Sequence, residues 1–103
     1  MNVIWYNRAE QSMRQIERYI FSKFGEYTRA RFMRELEQSI QSLSEKPRLG
    51  SIDPLLEHRS KTYRSLIIHR MSKLVYYVED DTIHIAAFWD TRREPKSQVN
   101  QLK

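Results

Sequence analysis

The cations of this sequence gather in three places. Arg59, Lys61 and Arg64 cluster before an apolar run, Arg70 and Lys73 follow it, and Arg92 and Arg93 close the last apolar run. A guanidinium presents paired N–H donors in one plane and so matches two oxygens of a phosphate or carboxylate. Such a set suits an anionic partner: nucleic acid, a ribosome or an acidic protein segment. Arg59, Lys61, Arg70 and Arg93 are the candidate target contacts. Arg64 and the Arg92-Arg93 pair are expected at one end of a sheet, where they would converge. The competing reading has Arg92 and Arg93 pairing with Asp90, Glu94 or helix carboxylates to fix a turn.

Acid–base and metal chemistry have less to work with. His58, His69 and His84 are scattered, and no spacing of ligand-type residues suggests a metal site. The sequence has no phosphate-cradling glycine loop and no serine–histidine–acid signature. No cofactor is expected. Tyr76, Tyr77, Phe88 and Trp89 fit either a base-stacking platform or ordinary sheet packing, the second being commoner.

These side chains need a frame. Residues 2–6 (NVIWY) form a short β-prone run. Asn7 with Glu10 resembles a helix N-cap pair. Ala9, Met13, Ile16, Ile20 and Phe24 then recur at helical spacing, and Gly25 is placed to stop the helix. Ala30, Met33, Leu36, Ile40 and Leu43 make the stripe of a second helix, which ends by Pro47. With about one residue between them, the helices must form an antiparallel hairpin. Tyr19, Phe21, Tyr27 and Phe32 fall outside the two stripes, so an exposed groove on the hairpin is expected.

Residues 46–62 are the least regular part, with Leu55 and Leu56 as anchors. Three strands follow at residues 63–70, 74–79 and 82–89, with breaks at Met71-Ser72-Lys73 and Asp80-Asp81. Gaps this short permit only hairpins, hence an antiparallel meander. Leu66 and Ile68 should share one face of their strand, and Ile83, Ile85 and Ala87 one face of theirs. The tail is polar except for Val99 and Leu102. The fold class is therefore α+β, in the order β-α-α-β-β-β. A helical hairpin packs on a four-stranded antiparallel or mixed sheet, with the place of the first strand open.

At 103 residues the chain is expected to be one domain, 1–103. Forty per cent hydrophobic residues can supply the burial that ordering requires. The absence of cysteine excludes disulfides and thiolate metal sites. No secretory pattern opens the chain, and no apolar run approaches the ~20 residues that span a bilayer, so a cytoplasmic protein without membrane contact is expected. The net charge of +5 favours an acidic partner.

From Tyr63-Arg64-Ser65 to Phe88-Trp89-Asp90-Thr91-Arg92-Arg93-Glu94-Pro95 the sequence closely resembles toxins of the RelE/ParE superfamily, also called plasmid-stabilisation proteins. With the N-terminal part added, the resemblance covers nearly the whole chain. It implies a growth-inhibiting toxin of a type II toxin–antitoxin pair, held by a small acidic antitoxin in a hetero-oligomer. Tyr19, Tyr27 and Phe32 are the candidate antitoxin contacts. One branch implies ParE-like inhibition of DNA gyrase, which needs no catalytic set. The other implies a RelE-like, ribosome-dependent mRNA endonuclease, in which Arg64 and Arg92 would be the catalytic arginines. That branch also uses a tyrosine or histidine near the C-terminus, and none follows Trp89 here. A third reading is an inactive remnant that only binds antitoxin. The ParE-like branch is preferred, leaving enzymatic activity undecided.

Overall fold

The computed structural model describes residues 1–92. Its elements are β1 (Asn2–Trp5), α1 (Asn7–Phe24), α2 (Glu26–Glu45), β2 (Ser51–Ile52), a 3-10 turn (Pro54–Leu56), β3 (Arg64–Ile68), β4 (Ser72–Glu79) and β5 (Thr82–Asp90). Among the described residues these strands make one sheet in the order β1-β5-β4-β3-β2. The expected α+β order holds, but the sheet has five strands, because Ser51–Ile52 pairs with β3. It is mixed, because β1 runs parallel to β5.

The helices follow from their stripes, with two adjustments. Gly25 alone joins them, at φ 92°, a conformation that glycine adopts without steric cost. The cap of α1 is Tyr6 rather than Asn7, and no side chain caps it. The stripe of α2 is also turned: Phe32, Leu36 and Leu43 are its buried residues. Phe32 has no exposed surface and meets Phe88 edge to face at 6.2 Å. Its expected place in an exposed groove is therefore corrected; an aromatic ring of that size fills the space between α2 and the sheet.

The sheet buries both faces. Leu66, Ile68, Leu74, Tyr76, Ile83, Ile85 and Phe88 pack against the helices. Val75 and Ala87 pack on the other side against Leu56 and Tyr63. Ala87 was expected beside Ile83 and Ile85. The ladder explains the difference: Val75 pairs with Ala87 but Tyr76 with Ile85, so Ala86 is an extra residue in β5. A bulge of one residue inverts the alternation beyond it and puts Phe88 on the helix side.

The β4–β5 turn is Asp80-Asp81, both at positive φ, the geometry that matches strand twist in a two-residue hairpin. The β3–β4 turn is His69-Arg70-Met71 rather than Met71-Ser72-Lys73, so Ser72 and Lys73 belong to β4.

Residues 46–62 form a strap that follows the sheet edge as β2 and then crosses the outer face from Asp53 to Leu56. Gly50 passes so close to the sheet that a Cβ there would lie 2.8 Å from both the Ser65 carbonyl oxygen and the Tyr76 ring. Asp53 is fully buried; it accepts the Leu55 N–H at 2.9 Å and holds the Lys73 ammonium at 2.9 Å. Leu56 anchors the strap in the outer core, while Leu55 stays exposed.

Candidate functional site

Arg64 opens β3 opposite Tyr76. Its guanidinium donates to the Gly50 carbonyl at 2.8 Å. The Tyr76 hydroxyl donates to the Pro47 carbonyl at 2.7 Å and accepts the Gly50 N–H at 2.9 Å. Arg64 therefore helps tie the strap to the sheet.

Arg92 lies just past β5. It grips Asp90 with Nη2–Oδ2 at 2.7 Å and Nε–Oδ1 at 3.0 Å, and its Nη1 donates to the Tyr19 hydroxyl at 2.9 Å. The guanidinium carbon stands 4.4 Å from the centre of the Tyr19 ring. Asp90, and then Tyr19, push Arg92 above its ordinary pKa, so it is a permanent cation. The same hydrogen bond from Arg92 draws the Tyr19 phenol below its usual value.

The two arginines do not converge. β3 and β5 both run antiparallel to β4, so they point the same way, and the start of one cannot meet the end of the other. Tyr76 lies between Arg64 and Ile85 in the ladder. From Ile85 to Arg92 the chain advances seven residues, roughly 20 Å at the strand rise. The expected juxtaposition is thus corrected.

The other cations are also dispersed. Arg59 is half-buried in the strap. Lys61 pairs with Glu79 and stands 4.7 Å over the Tyr77 ring. Arg70 is exposed in the β3–β4 turn, where its carbonyl accepts the Thr91 hydroxyl. Arg93, Val99 and Leu102 lie outside the described residues. Of the histidines, His58 is exposed in the strap, and His84 stacks on Tyr77 at 4.6 Å. His69 shares the Arg92 end of the sheet but turns to α2, where its Nδ1 lies 3.2 Å from Glu35. Among the described residues, no group of three histidine, cysteine or acidic side chains forms a metal site.

The aromatic platform does not form, since Tyr76, Tyr77, Phe88 and Trp89 are all buried. On the hairpin, Tyr27 is 74% exposed, and Phe21 and Phe24 are about half exposed. Tyr19 is half-buried, touching Phe24 and Arg92. A cleft of about 170 Å³ opens between α1 and the end of β5, bordered by Tyr19 and Arg92. Sequence reasoning missed the Asp53–Lys73 pair and the cluster of Tyr6, Tyr77, His84 and Lys61. The first had a signal: an aspartate before a proline is a helix-start pattern. The second joins β1, β4, β5 and the strap, and no local pattern announces it.

A sequence model described as "ParE toxin of type II toxin-antitoxin system, parDE" matches residues 3–95. The chain belongs to the ParE toxin family. Solved structures agree on the fold. The chromosomal ParDE toxin–antitoxin system of P. aeruginosa includes a chain that superposes with a TM-score of 0.69 at 15% identity, over 87% of this chain and 95% of that one. The YoeB-YefM toxin–antitoxin complex of Staphylococcus aureus gives 0.57 at 20% identity, over 86% and 94%. Among curated protein sequences none matches significantly. As a ParE-family member the chain is a toxin of a type II toxin–antitoxin system. Among the described residues no helix is long and apolar enough to cross a membrane.

Proposed function

We propose that this ParE-family chain arrests growth by binding and inhibiting an essential protein target of the DNA gyrase kind, without catalysis of its own. The observation that carries the reading is the separation of Arg64 from Arg92. Cleavage of RNA by attack of a ribose 2′-hydroxyl on the phosphate needs a cation at the phosphate, a base for the hydroxyl and an acid for the leaving 5′-oxygen, all within hydrogen-bond reach. Here Arg64 is engaged with the strap, Arg92 is engaged with Asp90 and Tyr19, and His69 turns away from Arg92 toward Glu35. The strap supports the same conclusion, because it occupies the outer sheet face and neutralises Lys73 there.

The purified protein is expected to inhibit supercoiling by gyrase and to leave mRNA on programmed ribosomes intact. Specific cleavage in the ribosomal A site, with supercoiling unaffected, would reverse the assignment in favour of an endonuclease.

We also infer that an acidic antitoxin neutralises the chain. The S. aureus structure is a heterotetrameric toxin–antitoxin complex, and the P. aeruginosa one comes from a ParDE toxin–antitoxin system. The net charge of +5 would speed encounter with an acidic segment. Tyr19, Tyr27, Phe21 and Phe24 offer a face for an amphipathic helix, and the sheet edges offer sites for an extended segment.

A further inference from the structure

The first strand leaves one side of the sheet bare. The Tyr6 N–H donates to the Ile85 carbonyl at 2.9 Å, so Tyr6 turns its main chain toward β5. Main-chain groups alternate sides along a strand. Asn2 and Ile4 therefore also face β5, while Val3 and Trp5 turn their N–H and C=O groups outward. No strand lies beyond β1 among the described residues. Asn2-Val3-Ile4-Trp5 holds neither a charge nor a proline, the residues that commonly blunt an edge. The opposite edge is closed part-way, because β2 covers the start of β3.

The side chains of β1 divide between the two faces of the sheet. Val3 and Trp5 pack inward against the core. Ile4 and Tyr6 alternate with them on the outer side, where Ile4 is 50% exposed.

We propose that β1 pairs antiparallel with β1 of a second copy of this chain, about a two-fold axis normal to the sheet at Ile4. This register matches every open main-chain group of the strand. Val3 lies opposite Trp5 of the second copy, and Trp5 opposite its Val3. Each such pair exchanges both N–H···O bonds. Ile4 meets its own copy across the axis as a non-hydrogen-bonded pair, with Cα atoms ~4.5 Å apart. Each exposed isoleucine then covers the other. The contact is isologous, so it closes at two copies and does not propagate. The two sheets become one, with both helical hairpins on the same side.

Charge favours the same register. Arg8, in the first turn of α1, stands exposed at one end of β1. Glu10 in that turn is engaged with Arg14. Asp80 and Asp81 stand exposed at the other end, in the turn before Thr82, the neighbour of Asn2. Antiparallel pairing brings the Arg8 end of each copy to the Asp80-Asp81 end of the other. The net charge of +5 opposes the approach of two copies, but salt screens it beyond ~8 Å at physiological ionic strength. A contact built on one short strand is small, so the dimer is expected to be reversible and concentration-dependent. The inference does not depend on which target the toxin acts on.

The chain has no cysteine, so Ile4→Cys carries a single thiol. Two thiols on the axis fall within the ~4.4–6.8 Å Cα span of a disulfide. In a glutathione redox buffer, purified Ile4→Cys should form covalent dimer at least tenfold faster than Ile67→Cys, whose position is 55% exposed on β3. By sedimentation equilibrium the wild-type mass should climb with concentration toward that of two chains. Ile4→Lys, which sets two ammonium groups against each other, should leave a folded monomer. Arg8→Glu should weaken association tenfold or more. The Val3 and Trp5 amides should exchange with deuterium more slowly as the wild-type concentration rises, and should not do so in Ile4→Lys. Equal cross-linking rates for the two cysteine variants overturn the proposal, as does a wild-type mass that stays constant up to the solubility limit. Val3 and Trp5 amides protected only when an antitoxin is added would give the edge to that partner and overturn it too. Failure of the toxin reading shows elsewhere, as wild-type protein that neither arrests growth nor inhibits supercoiling.

Discussion

Replacing Asp53 by alanine should unfasten the strap. Its carboxylate has no solvent exposure, holds Lys73 at 2.9 Å and caps the turn at Pro54–Leu56. Removing one partner of a buried pair strands the other charge and costs ~3–5 kcal/mol. The Lys73 side chain keeps 16% of its surface, so water relieves part of that penalty and the lower end applies. Loss of the cap adds about 1 kcal/mol. A loss of about 3–4 kcal/mol is expected, which lowers the melting temperature by roughly 15–25 °C in a domain of this size. The assay is equilibrium urea denaturation of Asp53→Ala, Lys73→Met and the double variant Asp53→Leu/Lys73→Met. The double variant removes both charges and should recover to within about 2 kcal/mol of wild type, since apolar packing substitutes well for a buried pair. A loss below about 1 kcal/mol for Asp53→Ala would refute the reasoning, as would a double variant no more stable than the worse single one.

Three further outcomes are expected. Leu36→Ala and Ile85→Ala each create a cavity between helix and sheet and should cost ~2–5 kcal/mol by urea melts. In an ultraviolet phenol titration Tyr19 should ionise first, and Arg92→Ala should return it toward the ordinary value of 10.0. Tyr77 should ionise last, held up by burial and by the Tyr6 hydroxyl. Its folded pKa is raised, so the stability it contributes is full below the unfolded value of 10.0 and is lost as pH rises above it. The melting temperature should therefore fall above about pH 10.

The readable parts of this fold were those set by local periodicity. The stripe of α1, the stop at Gly25 and the hairpin between Glu79 and Thr82 each follow from a few adjacent residues. The hidden parts depend on partners distant in sequence. Nothing near Asn2–Trp5 says that its partner is β5, or that the pairing is parallel. The bulge at Ala86 is one residue in an apolar run that reads as smooth alternation. Phe32 was misplaced because helical spacing admits more than one stripe, and tertiary packing chose the larger ring over Ala30. At the site, residue types were legible but geometry was not. Arg64 and Arg92 are suited to phosphate, yet strand direction alone sets them apart. The match to Arg92's alternative role was already in view, since Asp90 stands two residues before it.

The pairing of β1 with β5 has a consequence for synthesis. Asn2 meets Thr82, so eighty further residues must be made before Asn2 has its partner. At ~5–20 residues per second that interval is roughly 4–16 s. During it the helical hairpin can form from local contacts, while Val3 and Trp5 wait without a neighbouring strand. β4 and the helices likewise lack the strand that packs against them until β5 is complete. A translation product cut short before Thr82 thus has neither the strand that joins β1 to the rest of the sheet nor the α1 cleft, and is expected to be harmless to the cell that makes it.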